Sequence, residues 1–448
     1  MLVQFRDPRL SMWQSAMDEV LHGTSGNKLQ WRPRDGLDDM GRNGDLLREV
    51  ARHCAALFEG LPLAHMLQAG TAIERFLRLK PPASVRDTLC YCSAAYLKMA
   101  DARLRDDAAA IAQIGAELKR FGECDPCYGE ALERYIEYFR LHRESIPYRS
   151  YSRLTDSVEA LPDNCTLAIV GDWGTGQAAA RAVLERIAGH KPDIVIHLGD
   201  IYYSGTEYEA DNYFLRPFTQ IFNVADFKRG APRVFTMAGN HDMYSGGKGY
   251  YWLLDQIGQQ RSFFCLRNSH WSMVAVDTGI NDYDPFTVNS NTTTLKDSEL
   301  SWLKDKVNNA GDARTILLSH HPLFSAYERI DGKAVNEPLH AQVKELLPHI
   351  TAWYWAHEHN LVLYREYLNI HARCVGHGAF PVAVGEIGQP HSDVPLFREI
   401  RLREDHGIYT HGFVILGVNG KRAIADYYQC DANGNEEKMY SEPLDQLP

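Results

Sequence analysis

The chain reads as an α/β domain preceded by an all-helical one. Three observations along its 448 residues support this. Before about residue 150, apolar side chains recur at helical spacing. After about residue 165, short apolar runs of strand length alternate with amphipathic stretches. Several of those runs end in Gly-Asp, Gly-Asn-His-Asp or a histidine pair. Such alternation implies a central sheet with covering helices, and open α/β sheets bind ligands at the C-terminal ends of their strands.

The helical part is predicted from Leu46–Phe58, Ala64–Leu79, Val85–Leu104, Ala108–Phe121 and Tyr128–Leu141, broken by Pro81-Pro82 and by Gly122–Pro126. It ends near Glu144, and a Pro- and Tyr-containing connector follows, giving domains over residues 1–150 and 151–448. In the second domain, strands are predicted at Thr166–Val170, Asp193–Leu198, Val234–Ala238, Trp271–Asp277, Thr315–Ser319 and Thr351–Ala356. Helices are predicted at Ala178–His190, Leu300–Val307 and Leu339–Leu347. Near the end, Phe413–Leu416 and Arg422–Tyr427 flank Asn419-Gly420, a strong hairpin signal.

A composition of 45% hydrophobic and 23% charged residues is that of a globular protein, and the formal charge of −11 argues against a general binder of nucleic acid or anionic membrane. No apolar run reaches the length of a membrane span. Arg6, Asp7 and Arg9 stand where a signal peptide needs its apolar core, so the expectation is a cytoplasmic protein with reduced thiols. Cys90, Cys92, Cys124 and Cys127 form a C-x-C plus C-x₂-C set. That set reads either as a structural zinc or redox site or as buried helix thiols.

The chemistry lies in five blocks in fixed order: GDWG (171–174), GDIYY (199–203), GNHD (239–242), SHHP (319–322) and AHEH (356–359). Any one block has a bland reading, since Gly-Asp after a strand is by itself a turn or a helix cap. Together they supply two carboxylates, Asp172 and Asp200, an amide oxygen on Asn240, and imidazoles on His320, His357 and His359. A mixed O/N set of this kind suits two cations, with a carboxylate able to bridge. Placed on a strand, the H-x-H of 357–359 points both rings the same way, towards a shared site. Two cations answer the difficulty of cleaving a phosphate ester: they neutralise its oxygens and bring the pKa of a bound water towards about 7.

With these blocks in view, the stretch from about Thr166 to Tyr440 resembles the calcineurin-like metallophosphoesterase superfamily. Most members begin with D-x-H, whereas Gly174 fills the third position here. GDWG with GDIYY is most similar to the purple acid phosphatases, the small tartrate-resistant mammalian type in particular. Val276-Asp277-Thr278, Leu300-Ser-Trp-Leu303 and His320–Ser325 extend the likeness, and AHEH stands where the family has GHDH.

The resemblance implies a four-layer α/β/β/α sandwich. It implies one metal held by Asp172, Asp200, Tyr203 and His359, and a second by Asp200, Asn240, His320 and His357, with Asp200 bridging. Tyr203, as a phenolate, would favour Fe(III), paired with a divalent Fe, Zn or Mn. His241 would contact the phosphate and protonate the leaving oxygen, with Asp242 orienting it. Glu358 would point away from the metals. Tyr202, Phe324 and the 279–294 stretch are candidates for the cleft wall, His321 for a place beside the ligands, and His377 for either the pocket or a surface loop. The activity implied is hydrolysis of a small phosphate monoester by in-line attack of a metal-bound hydroxide. A phosphodiesterase acting on a nucleotide or lipid headgroup, and a non-hydrolytic di-iron enzyme, stay open as alternatives. No nucleic-acid or membrane partner is expected, and the helical domain is a candidate surface for a protein partner.

Overall fold

The computed structural model describes residues 145–447, apart from positions 155–156, 203, 225, 229, 284–291, 383, 386, 399, 406–407 and 432–433. The predicted helical domain, the cysteine set and Tyr203 therefore lie outside the described residues. None of the described helices is long and apolar enough to cross a membrane.

Among the described residues there are two large sheets, where strand–helix alternation alone implies one. The first has six strands in the order β16-β15-β14-β2-β3-β4. Its strands are β2 (Asn164–Val170), β3 (Ile194–His197), β4 (Arg233–Thr236), β14 (His411–Asn419), β15 (Arg422–Cys430) and β16 (Glu436–Pro443). The second has eight, in the order β1-β5-β6-β7-β8-β10-β9-β11. They are β1 (Val158–Ala160), β5 (Phe264–Arg267), β6 (Trp271–Ala275), β7 (Arg314–Leu318), β8 (Ile350–Trp355), β9 (Leu361–Tyr364), β10 (His371–Val375) and β11 (Leu396–Arg398). A separate short pair joins β12 (Glu404–Asp405) to β13 (Ile408–Tyr409).

Parallel pairing runs through β2-β3-β4 and through β6-β7-β8-β10. Parallel strands are buried on both faces and read as continuous apolar runs, as in Ile194-Val-Ile and Ile316-Leu-Leu. The hairpin predicted at Asn419-Gly420 forms, with β14 and β15 in register from His411↔Cys430 to Asn419↔Arg422 and Gly420 at φ +56°. It joins the first sheet because β14 also pairs antiparallel with β2.

One apolar core takes side chains from both sheets, including Ile169, Ile196, Phe235, Leu266, Ile316, Tyr354 and Leu416. A second core packs the six-stranded sheet against α1 (Ala178–Gly189), α2 (Arg216–Phe222) and α3 (Lys248–Ile257). A third packs the eight-stranded sheet against α4 (Asp297–Asn308) and α5 (Glu337–Val343). The central strands alternate their side chains between the shared core and their own helices, as Ile169 and Val170 of β2 and Ile316 and Leu317 of β7 do. The parallel strands thus end together, and the loops that follow them converge on one rim.

Candidate metal centre

Five loops build the centre. Asp172 follows β2, Asp200 follows β3, Asn240 follows β4, His320 follows β7, and His357 and His359 follow β8. Asp172, Asp200 and His357 all carry left-handed φ, at +54°, +75° and +68°. Non-glycine residues rarely adopt this region, and it clusters at functional sites. Glycine is needed where the turns touch: a Cβ on Gly239 would lie 2.0 Å from Asp200 Oδ1.

The H-x-H segment is not on a strand. β8 stops at Trp355, and the turn after it sends the two rings to different places. His357 Nδ1 lies 3.1 Å from Asn240 Oδ1 and 3.2 Å from His320 Nε2. His320 Nε2 lies 3.1 Å from Asn240 Oδ1. His359 Nε2 instead lies 3.4 Å from Asp172 Oδ1 and 2.9 Å from the Tyr202 hydroxyl, its ring stacked on Phe380 at 4.1 Å.

These contacts can be tested for metal fit. Donors at about 2.0–2.1 Å from one cation sit about 3.0 Å apart at right angles and about 3.4 Å apart in a tetrahedron. The Asn240–His320–His357 triangle, at 3.1, 3.1 and 3.2 Å, falls in that interval. His320 Nδ1 donates to the Leu198 carbonyl at 2.9 Å, which leaves Nε2 as a bare lone pair. That lone pair faces the Asn240 oxygen, while the Asn240 amide nitrogen donates to the Tyr244 hydroxyl. Two acceptors in contact repel; a cation between them turns the contact into ligation. Burial, and then the nearness of His321, pushes both His320 and His357 well below the usual imidazole range, so each is neutral and ligand-ready.

The second half holds Asp172, Asp200 and His359, whose donor atoms lie within 4.8 Å of one another. Both carboxylates are buried. Burial raises the Asp172 carboxyl, but His359 and the Tyr202 hydroxyl outweigh it and hold it below the usual range. Asp200 is pushed well above that range by burial and by the charges of Asp172 and Asp242. Like charges this close are what a bridging cation relieves. Asp200 also reaches the other half, with Oδ2 3.4 Å from His320 Nε2. The residues fit a pair of cations.

Other expectations need correcting as well. Asp242 does not serve the His241 ring: its carboxylate accepts backbone N–H groups from Gly239 (2.8 Å), Asp200 (2.9 Å) and Ile201 (3.1 Å). Fixed in this way, it braces two ligand turns against each other, and burial pushes it up to about 7. Phe324 walls no cleft, because its ring packs edge-on against Trp355, Tyr364 and Tyr367 in the core.

Tyr202, a candidate for the cleft wall, instead donates its hydroxyl to Asp172 Oδ1 at 2.7 Å. A tyrosine one residue from the expected ligand was the available signal. The His241 ring lies 4.6 Å from Tyr202 and its backbone N–H donates to Asp200 Oδ1 at 3.1 Å. Glu358 turns away to Ser325 and Tyr364, as expected. His377 is buried against the Tyr428 carbonyl at 3.1 Å, outside the centre.

Residues 165–361 match the model of the family described as Calcineurin-like phosphoesterase. The resemblance to calcineurin-like phosphoesterases holds. The chain is 25% identical to tartrate-resistant acid phosphatase type 5 of Homo sapiens over 45% of its own length and 70% of that protein's. It is 25% identical to the same enzyme of Oryctolagus cuniculus over 43% and 66%. Among solved structures, PhoD is similar at a TM-score of 0.44 and 11% identity, over 64% of this chain and 70% of that one. A dimetal phosphatase from Danio rerio is similar at a TM-score of 0.41 and 12% identity, over 62% and 98%.

Proposed function

We propose that the chain hydrolyses phosphate monoesters with two metal ions, in the manner of a purple acid phosphatase, on a four-layer α/β/β/α domain. The observation that carries this reading is the Asn240–His320–His357 triangle, whose facing lone pairs fit a cation, set beside two buried carboxylates. Asp172, Asp200 and His359 would hold one ion, Asn240, His320 and His357 the other, and Asp200 would touch both. When bound, such ions neutralise the ester oxygens and acidify a water.

The chain's own residues supply the rest. His241, beside Asp200 and Tyr202, is our candidate to contact the phosphate and protonate the leaving oxygen. Asp242 serves it indirectly, by fixing the turn on which it stands. His241→Ala is expected to keep both metals and lose roughly 10²–10⁴-fold in turnover on alkyl esters. The loss should be smaller on an activated aryl ester, and equal losses would make His241 a positioning group.

Iron is the proposed partner because a tyrosine phenolate is a hard anionic ligand. Tyr203 is the proposed phenolate, and Tyr202 sits close enough to be its rival. The test combines metal analysis and absorption spectra with a panel of phosphomonoesters and diesters. Tyr203→Phe should bleach the visible band and Tyr202→Phe should not. An iron-loaded chain without a band, or a band that survives Tyr203→Phe, rejects the purple-phosphatase reading. Preference for diesters would instead favour a phosphodiesterase.

A further inference from the structure

His321 follows a ligand and has no part in the reading above. It is fully buried, and both ring nitrogens are taken. Nδ1 meets the Thr278 hydroxyl at 3.0 Å and Nε2 meets Asp282 Oδ2 at 3.0 Å. Its backbone N–H also donates to the Thr278 hydroxyl at 3.0 Å. The ring lies against that of His357, centroids 4.5 Å apart and planes tilted 38°, and stands edge-on to His320 at 4.9 Å. A donor atom of His321 lies within 4.8 Å of those of His320 and His357. Thr278 and Asp282 thus engage both nitrogens of a ring that lies against those of His320 and His357.

The segment that holds His321 also holds the remaining ligand of this half. Gly279 lies against the turn before Asn240, where a Cβ would come 2.4 Å from the Gly239 carbonyl oxygen. The segment is itself tied down. Asp282 N–H donates to the Gly279 carbonyl at 2.9 Å, the Thr293 hydroxyl donates to the Thr278 carbonyl at 2.5 Å, and the Asn281 amide donates to the Thr294 carbonyl at 2.7 Å.

We infer that residues 278–282, acting through Asp282 and His321, are a positioning clamp that fixes the Asn240–His320–His357 half of the centre and leaves the Asp172–His359 half alone. The inference rests on the dimetal reading. It goes beyond it by assigning the two ion sites unequal dependence on one segment. Groups that orient ligands from behind typically contribute 10–100-fold to metal affinity.

The test is calorimetric titration of the metal-free full chain with Zn²⁺ alone, with far-UV circular dichroism confirming the fold. Wild type should take up two ions. Asp282→Ala should weaken one site by about 10–100-fold and leave the other unchanged. Asp282→Asn, which keeps an oxygen for His321 Nε2–H, should recover most of the loss. Thr278→Val keeps shape and removes the hydroxyl, so it should reproduce the one-site loss even where Asp282→Ala folds poorly. A wild type with two sites and an Asp282→Ala and Thr278→Val pair of unchanged affinity overturns the clamp alone. Equal weakening of both sites overturns it too, since that is general loosening. A wild type that takes up no zinc overturns the dimetal reading and the clamp with it.

Discussion

Two of the polar clusters buried among the described residues are built on opposite rules. Between the sheets, Arg373 makes a two-pronged pair with Glu442, Nε to Oε1 at 2.8 Å and Nη2 to Oε2 at 2.7 Å. Its remaining Nη1 donates to the Tyr364 and Ala372 carbonyls, Tyr427 donates to Glu442, and the Tyr354 and Tyr427 hydroxyls meet at 2.9 Å. Every donor there finds an acceptor. On the rim, Asp172 and Asp200 set like charges together, and His320 Nε2 faces the Asn240 oxygen with no proton between them. The first cluster is complete in itself, and the second is the one that the proposed cations would complete. Burial of polar groups therefore does not mark a function by itself; unresolved repulsion among them does.

The comparison breaks most visibly at Arg373. Arg373→Met strands Glu442 as a buried carboxylate, and urea denaturation should show a loss of about 3–5 kcal/mol. Adding Glu442→Leu should recover most of it, since an ion pair replaced whole is often neutral. A single variant as stable as wild type would mean that the pair carries little.

At the rim the opposite is expected. Metal-free Asp200→Asn loses a buried like charge and should be at least as stable as metal-free wild type. Metal at about 100 times its dissociation constant should then stabilise wild type by about 2.7 kcal/mol and the variant far less. Equal stabilisation of both would remove Asp200 from the site.

A smaller effect sharpens the boundary between the two kinds of cluster. Asp277 and Glu299 are buried together, with the Asp277 N–H donating to Glu299 Oε1 at 2.6 Å. Burial pushes Asp277 up from 3.8 to about 6, and pushes Glu299 well above its usual range with help from the Asp277 charge. A carboxyl raised on folding contributes stability below its unfolded pKa and loses it as pH rises through the folded one. Between pH 3.8 and about 6, wild type should therefore lose about 1–2 kcal/mol relative to Asp277→Asn. Parallel stability curves for the two proteins over that range would contradict the assignment.

The candidate ligand residues are legible because each strand that delivers one is a short apolar run closed by a distinctive turn, as at Val170-Gly-Asp172 and Leu198-Gly-Asp200. What sequence hid was three-dimensional choice. Strand alternation cannot tell one sheet from two; which strands pair decides it, and β2 pairs with β3 and with the tail hairpin and not with the strands of the second sheet. The period-2 rule failed at His357, whose left-handed backbone lies outside any strand and splits the H-x-H between two half-sites. Asp242 looked like a partner for the imidazole beside it, but three unpaired backbone N–H groups on the neighbouring turns claimed its oxygens first. Tyr202 and Tyr203 are alike in chemistry, so spacing alone could not show that Tyr202 would reach Asp172.

The central claim is tested most directly by metal content and phosphate-ester hydrolysis measured on one sample of the full chain, before and after chelation. The account predicts about two metal ions per chain. It predicts hydrolysis of an aryl phosphate monoester that disappears on chelation and returns when metal is restored. A chain that holds no metal, or one whose hydrolysis survives complete metal removal, would contradict it.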